Sequence, residues 1–204
     1  MGRVVDLSNG YEAHALEFLD VRDISPIGRD IVERWARSLK PHAEVIEIGC
    51  GGGRPVTRAL VEAGLNIWAI DASPTLLRKF AVRFPAIPVK CEQAEGSDYF
   101  RRHYDAAIAV GLLFLLSASS QIAVIKRVSE ILRPGGRFLF TAPIEFGTWT
   151  DAITNLESRS LGSARYEEAL VHSGFRMIAT YHDERANNYY EAEKIAECSL
   201  SGAG

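Results

Sequence analysis

Glu47, Gly49, Gly51, Gly53 and Asp71 are the residues of this chain whose types and spacing suit a charged, hydroxyl-bearing ligand. They fall in "VIEIGCGGGRPV" (45–56) and "NIWAID" (66–71), each of which opens with an apolar run. Glycines lack the Cβ that would keep a ligand off the backbone. A helix opening just after them offers unpaired N–H groups. In nucleoside-binding parallel sheets the acid that holds the ribose hydroxyls stands about 20 residues beyond the first glycine. Asp71 stands 22 residues after Gly49, and when ionised it can accept from both hydroxyls. Its other available role is to cap the next helix, for which Ser73 is better placed. Glu47 is either part of the ligand site or simply a strand-end acid. The dinucleotide signature GxGxxG fails in both registers, because Arg54 or Val56 occupies the third glycine position.

Further candidates lie in the segments able to cover such a loop. Tyr11, His14 and Arg22 belong to the N-terminal stretch, and Glu145 and Trp149 follow the fifth predicted strand. Arg22 can pair with a ligand carboxylate, or face solvent as most arginines do. His14 and Glu145 are the only candidates for proton transfer, His14 because imidazole titrates near neutrality. Trp149 can wall an apolar acceptor or pack as a lid. His182, Asn188 and Tyr189 fall in a closing hairpin and read as structural.

These residues need strands that end together and helices that start beside them. "AEVIEI" (43–48), "NIWAI" (66–70), "IPVKC" (87–91), "YDAAIAV" (104–110) and "RFLFTA" (137–142) read as buried strands. Between them lie helical patterns: "PVTRALVEAG" with Pro55 first and Gly64 last, a helix capped by Ser73 with Pro74 behind it, a short one capped by Ser97, and "SSQIAVIKRVSEIL" (119–132). "RPGG" (133–136) reads as a turn. Strand–helix alternation predicts a parallel sheet covered by helices. A helix opened by Ser25-Pro26 and carrying Ile27, Ile31, Trp35 and Leu39 precedes the core, and residues 144–163 look irregular. A helix over 164–174, two strands around "RANN" and a loose "SLSGAG" tail complete the chain.

The 204 residues suit one domain, and 47% hydrophobic with 24% charged residues is ordinary globular composition. A net charge of −3 without a basic stripe argues against a nucleic-acid partner. Cys50, Cys91 and Cys198 are too few and too scattered for a disulfide framework or a zinc cluster, which suits a reducing, cytoplasmic setting. The N-terminus carries no apolar signal core. The longest apolar run, 106–116, falls short of the roughly 20 residues a membrane span needs.

Together "VIEIGCGGG", Asp71 and "ILRPGGRFLF" resemble the class I, Rossmann-like S-adenosylmethionine-dependent methyltransferases over residues 43–143. The resemblance implies a doubly wound α/β fold: a mostly parallel seven-stranded sheet, an antiparallel last strand and helices on both faces. It implies an N-terminal helical cap over 1–42, a cofactor-binding core over 43–143, a substrate-side insertion over 144–163 and a closing helix and hairpin over 164–195. It assigns S-adenosylmethionine to Glu47, Gly49, Cys50, Gly51, Gly53, Asp71 and Ala72, to Gln93, Ala94 and Glu95 at the adenine edge, to Gly111 and Leu112, and to Arg22 at the methionine carboxylate. Family members commonly carry an acid where this chain has Gln93. The Asn/Asp-Pro-Pro-aromatic motif of nucleobase and glutamine N-methyltransferases is replaced by Gly111-Leu112-Leu113-Phe114, so the resemblance does not extend to that subclass. With only about 60 residues outside the core to grip an acceptor, a small molecule in a lidded pocket is expected. A nucleotide-dependent oxidoreductase and a non-catalytic S-adenosylmethionine binder are the alternative readings.

Overall fold

The computed structural model describes residues 6–196; the "SLSGAG" tail and Cys198 lie outside them. The central sheet has seven strands: β1 (Glu44–Ile48), β2 (Asn66–Asp71), β3 (Val89–Cys91), β4 (Tyr104–Ala109), β5 (Leu132–Thr141), β8 (Phe175–His182) and β9 (Asn188–Lys194). Their order is β3-β2-β1-β4-β5-β9-β8. The first five run parallel, and β9 is antiparallel to both β5 and β8. The expected doubly wound sheet with an antiparallel last strand is what the chain forms.

Alternation along the strands builds two cores. On one face Ile46, Ile48, Ala107, Phe138 and Phe140 pack against Val124, Ile125 and Val128 of α5 (Ala118–Ile131) and Tyr166 and Leu170 of α6 (Ser163–His172). On the other, Val45, Ile67, Ile108 and Leu139 meet Ile31, Val32 and Trp35 of α2 (Arg29–Ser38) and Val56 and Leu60 of α3 (Val56–Glu62). Each Val, Ile, Leu or Phe among them, fully buried, contributes roughly 1.5–3 kcal/mol. α4 (Pro74–Arg83) covers β2 and β3 with Leu77 and Phe80, and Ser73 caps it by accepting from the Leu76 N–H. The remaining helix, α1 (Ala15–Arg22), packs through Ala15 and Leu19 against Leu76 of α4.

Four local expectations are corrected. The 144–163 segment is not irregular: β6 (Phe146–Thr150) and β7 (Glu157–Leu161) form an antiparallel hairpin of their own. β7 buries Ser158 and Ser160 rather than apolar side chains, so the alternation that marks a strand is chemically inverted. Ser25-Pro26 precedes α2 rather than opening it; the helix starts after Gly28, whose φ is +76°. The helix expected behind Ser97 is a single turn, Tyr99–Arg101, capped by Asp98 rather than Ser97, with all three residues left-handed. Finally, "RPGG" lies within β5 as an irregularity, where the ladder to β4 shifts between the Tyr104↔Leu132 and Ala106↔Arg137 pairs.

Candidate functional site

Strand order reverses between β1 and β4, and parallel sheets bind ligands beyond the carboxyl ends of the strands at that point. A cavity of about 1000 Å³ opens there, at the upper end of the usual range for ligand sites. Its walls come from the glycine loop, the ends of β2, β4 and β5, the β8–β9 turn, the N-terminal segment and the β6–β7 hairpin.

The loop is held from three sides. Gly49 and Cys50 both donate their N–H to the Ile70 carbonyl at 2.9 and 3.1 Å. The Gly51 N–H donates to Asp71 Oδ2 at 2.8 Å, and the Arg83 guanidinium reaches the Gly52 carbonyl at 2.8 Å while pairing with Asp23. Gly51 has φ +54°, and a Cβ there would meet the Phe18 ring at 3.2 Å; at Gly53, with φ +84°, it would meet Phe84 at 2.4 Å. Gly51 is thus bare where the cavity needs backbone, and Gly53 is bare for packing.

Asp71 lines the cavity. Its Oδ1 accepts from the Ser73 N–H at 2.8 Å, so Asp71 orients the start of α4 as well as the loop. Each carboxylate oxygen retains a second lone pair for a ligand hydroxyl. Burial raises its pKa, against the lowering effect of the Ser73, Gly51 and Ala72 N–H groups.

Gly49, Gly51, Ala72, Gln93, Ala94, Glu95, Gly111, Leu112, Arg22 and Glu145 also line the cavity. Gln93 donates through Nε2 to the Leu7 carbonyl at 3.2 Å, which leaves Oε1 uncommitted. Arg22 donates to the Ile27 carbonyl at 3.3 Å and makes no ion pair among the described residues. Burial lowers its pKa, while Tyr189, Asp183 and Glu47 oppose that.

Three assigned residues do not line the cavity, and neither does His14. Glu47 is 3% exposed and sits behind the loop, where its Oε2 accepts from Thr57 Oγ1 of α3 at 2.6 Å. Burial pushes its pKa to about 8, Thr57 lowers it, Asp71 raises it and Arg22 lowers it. Cys50 is buried with its thiol 3.8 Å from the Gly51 carbonyl, and burial raises its pKa well above the ordinary thiol value. Gly53 faces Phe80 and Phe84. His14 instead places Nδ1 3.4 Å from Glu17 at the start of α1, away from any proton-transfer position in the cavity.

Sequence reasoning missed other lining residues. His182, Asn188 and Tyr189, read as structural, stand at the cavity because β9 pairs with the end of β5. Strand order decides that, and periodicity does not report it. Leu7, Ser8 and Glu92 also line the cavity.

The N-terminal segment is fastened over the opening. Glu12 accepts from Ser73 Oγ at 2.5 Å, and from the Thr75 N–H and Oγ1 at 3.0 and 2.6 Å. The Tyr11 hydroxyl donates to Asp151 at 3.3 Å, joining this segment to the hairpin. Trp149 of β6 and Phe114, 5.7 Å apart between ring centroids, pack together in the lining of the same cavity.

Comparison with known proteins agrees with this geometry. Residues 45–136 match a family model described as a methyltransferase domain. The carboxy-S-adenosyl-L-methionine synthase of Vibrio campbellii is 26% identical over 178 residues, covering 83% of this chain and 62% of that protein. The tRNA U34 carboxymethyltransferase of Idiomarina loihiensis is 22% identical over 130 residues, 57% of this chain and 39% of the relative. The chain thus spans less than two thirds of these curated relatives. Among solved structures, the CcbJ methyltransferase from Streptomyces caelestis superimposes with TM-score 0.76 at 17% identity, covering 94% of this chain and 100% of that one. The 1,6-didemethyltoxoflavin-N1-methyltransferase of Burkholderia thailandensis, with bound 1,6-didemethyltoxoflavin and S-adenosylhomocysteine, gives 0.67 at 19% identity, covering 96% and 94%. The sheet order, with the glycine loop at its switch point, gives the chain the Rossmann-like fold of these solved methyltransferases, and its residues 45–136 are similar to the methyltransferase-domain family.

Proposed function

We propose that this chain is an enzyme that binds S-adenosylmethionine above Gly49 and Gly51 and methylates a small molecule. The observation that carries the proposal is the pairing, in one cavity, of Asp71 with an Arg22 guanidinium that has no carboxylate partner among the described residues. The residues fit the donor chemically. Asp71 suits the ribose hydroxyls, and Arg22 the amino-acid carboxylate. Gln93 Oε1 and the Ala94 N–H suit the adenine edge, with Glu95, Gly111 and Leu112 beside them. The donor supplies a methyl group on a positively charged sulfur, already an excellent leaving group. The chain's own task is therefore alignment and exclusion of water. Glu47 serves that task from behind, by tying the end of β1 to α3 through Thr57. Tyr11, Trp149 and Phe114 shield the opening.

In this reading residues 1–42 cap the site, 43–143 hold the donor, 144–163 face the acceptor and 164–195 close the sheet. The cytoplasmic setting follows from the sparse cysteines, and a small-molecule acceptor from the balanced surface charge. Among the described residues no helix is long and apolar enough to cross a membrane. Relatives named for carboxylated chemistry raise the question of a carboxylated donor. Among the described residues Arg22 is the one lysine or arginine in the lining, and the amino-acid carboxylate would occupy it. A second carboxylate on the transferred carbon would meet no cation, which favours the unmodified donor.

Methyl-labelled S-adenosylmethionine, offered with small-molecule extract, total tRNA or total protein, tests the reading. Label is expected in the small-molecule fraction alone. Label confined to tRNA or protein would contradict the acceptor class, and none anywhere, with the donor bound, would favour a non-catalytic binder.

A further inference from the structure

Two hydrogen-bond acceptors in the cavity lining, Asn188 Oδ1 and the Glu145 carboxylate, lack a partner among the described residues. Asn188 is 3% exposed, and its Nδ2 donates to the Ala142 carbonyl at 3.4 Å. Its Oδ1 has no hydrogen-bond partner among the described residues. Buried polar atoms are ordinarily satisfied, and one left unpaired beside a cavity suggests that a ligand completes it. Glu145, at the end of the strand-β5 side of the cavity, forms no ion pair or side-chain hydrogen bond among the described residues. The Phe114–Trp149 pair lines the same cavity. Among the described residues no lysine or arginine other than Arg22 lines the cavity.

We propose that this part of the cavity is a binding site for a small organic amine, recognised as its ammonium ion by Glu145, by the aromatic pair and by Asn188 Oδ1. The assignment rests on the donor reading above, because that reading commits Arg22 to the donor's carboxylate. A carboxylate without a counter-charge attracts a cation. Aromatic faces do so too when a cation lies within about 6 Å of the ring centre. An ammonium group supplies the donor that Asn188 Oδ1 lacks. An anionic acceptor would instead meet Glu145 as a like charge. The group recognised is a basic amine, not an amide or ring nitrogen, in keeping with the absence of the Asn/Asp-Pro-Pro-aromatic motif.

The test uses three molecules of matched shape: phenethylamine, phenethyl alcohol and hydrocinnamate. Their affinities are measured by ligand-observed NMR on the full chain, with and without saturating S-adenosylhomocysteine. The amine is expected to bind the loaded protein about tenfold more tightly than the alcohol, with hydrocinnamate weakest. Glu145→Gln should erase most of that advantage while leaving S-adenosylhomocysteine affinity unchanged, and Glu145→Lys should favour hydrocinnamate. An amine that binds no better than the alcohol, or does not bind, overturns the proposal, as does an amine preference that survives Glu145→Lys. Loss of the donor reading registers separately, as failure of S-adenosylhomocysteine to bind.

Discussion

Asp71 joins two tasks at one carboxylate: it fixes the glycine loop through Gly51 and the start of α4 through Ser73, and it faces the cavity. Asp71→Ala should therefore lower S-adenosylhomocysteine affinity by about 3 kcal/mol, more than a hundredfold, in calorimetry. Unchanged affinity in a folded variant would remove Asp71 from the site. Glu47 makes a different prediction. Burial raises its pKa from 4.5 to about 8, so the native state keeps a proton that the unfolded chain loses. That contribution to stability is whole below the unfolded value and is lost as pH rises through the native one. Glu47→Gln keeps a partner for Thr57 and removes the titration. Between about pH 5 and pH 8 the denaturant stability of the wild type should fall relative to this variant. A constant difference across that window would show that Glu47 does not titrate there.

At the scale of elements, the N-terminal segment is a strap whose fastening is Glu12 on the start of α4. Burial raises the Glu12 pKa, but hydrogen bonds from Ser73 and Thr75 outweigh it and leave the pKa below its ordinary value. A depressed carboxylate contributes stability above its unfolded pKa and loses it as pH falls through the native one. Glu12→Ala should speed hydrogen exchange in residues 8–14 while leaving β1 and β4 protected; equal exchange in wild type and variant would deny the strap. The core elements were legible because buried parallel strands and capped helices advertise themselves: Pro74 behind Ser73, Gly64 after α3, mostly apolar and buried runs in β1 and β4. The β6–β7 hairpin was not legible, since it exposes Phe146 and buries Ser158 and Ser160. The loop and Asp71 were legible because they depend on local spacing. Asn188 and His182 were not, because an antiparallel strand inserted beside β5 brings them there.

At the scale of the whole molecule, one cavity at the sheet's switch point collects chain from both termini and from the post-β5 hairpin. A donor buried there should be strongly coupled to folding. Ligand at 100 times its dissociation constant adds about 2.7 kcal/mol, worth about 5–10 °C in Tm for a chain of this size. The most direct measurement is a thermal-shift titration of the full chain with S-adenosylhomocysteine, S-adenosylmethionine, NAD and NADP in parallel. A saturable rise of that size is expected with the two sulfur nucleosides and none with the dinucleotides; a rise with NAD or NADP alone would contradict the S-adenosylmethionine reading.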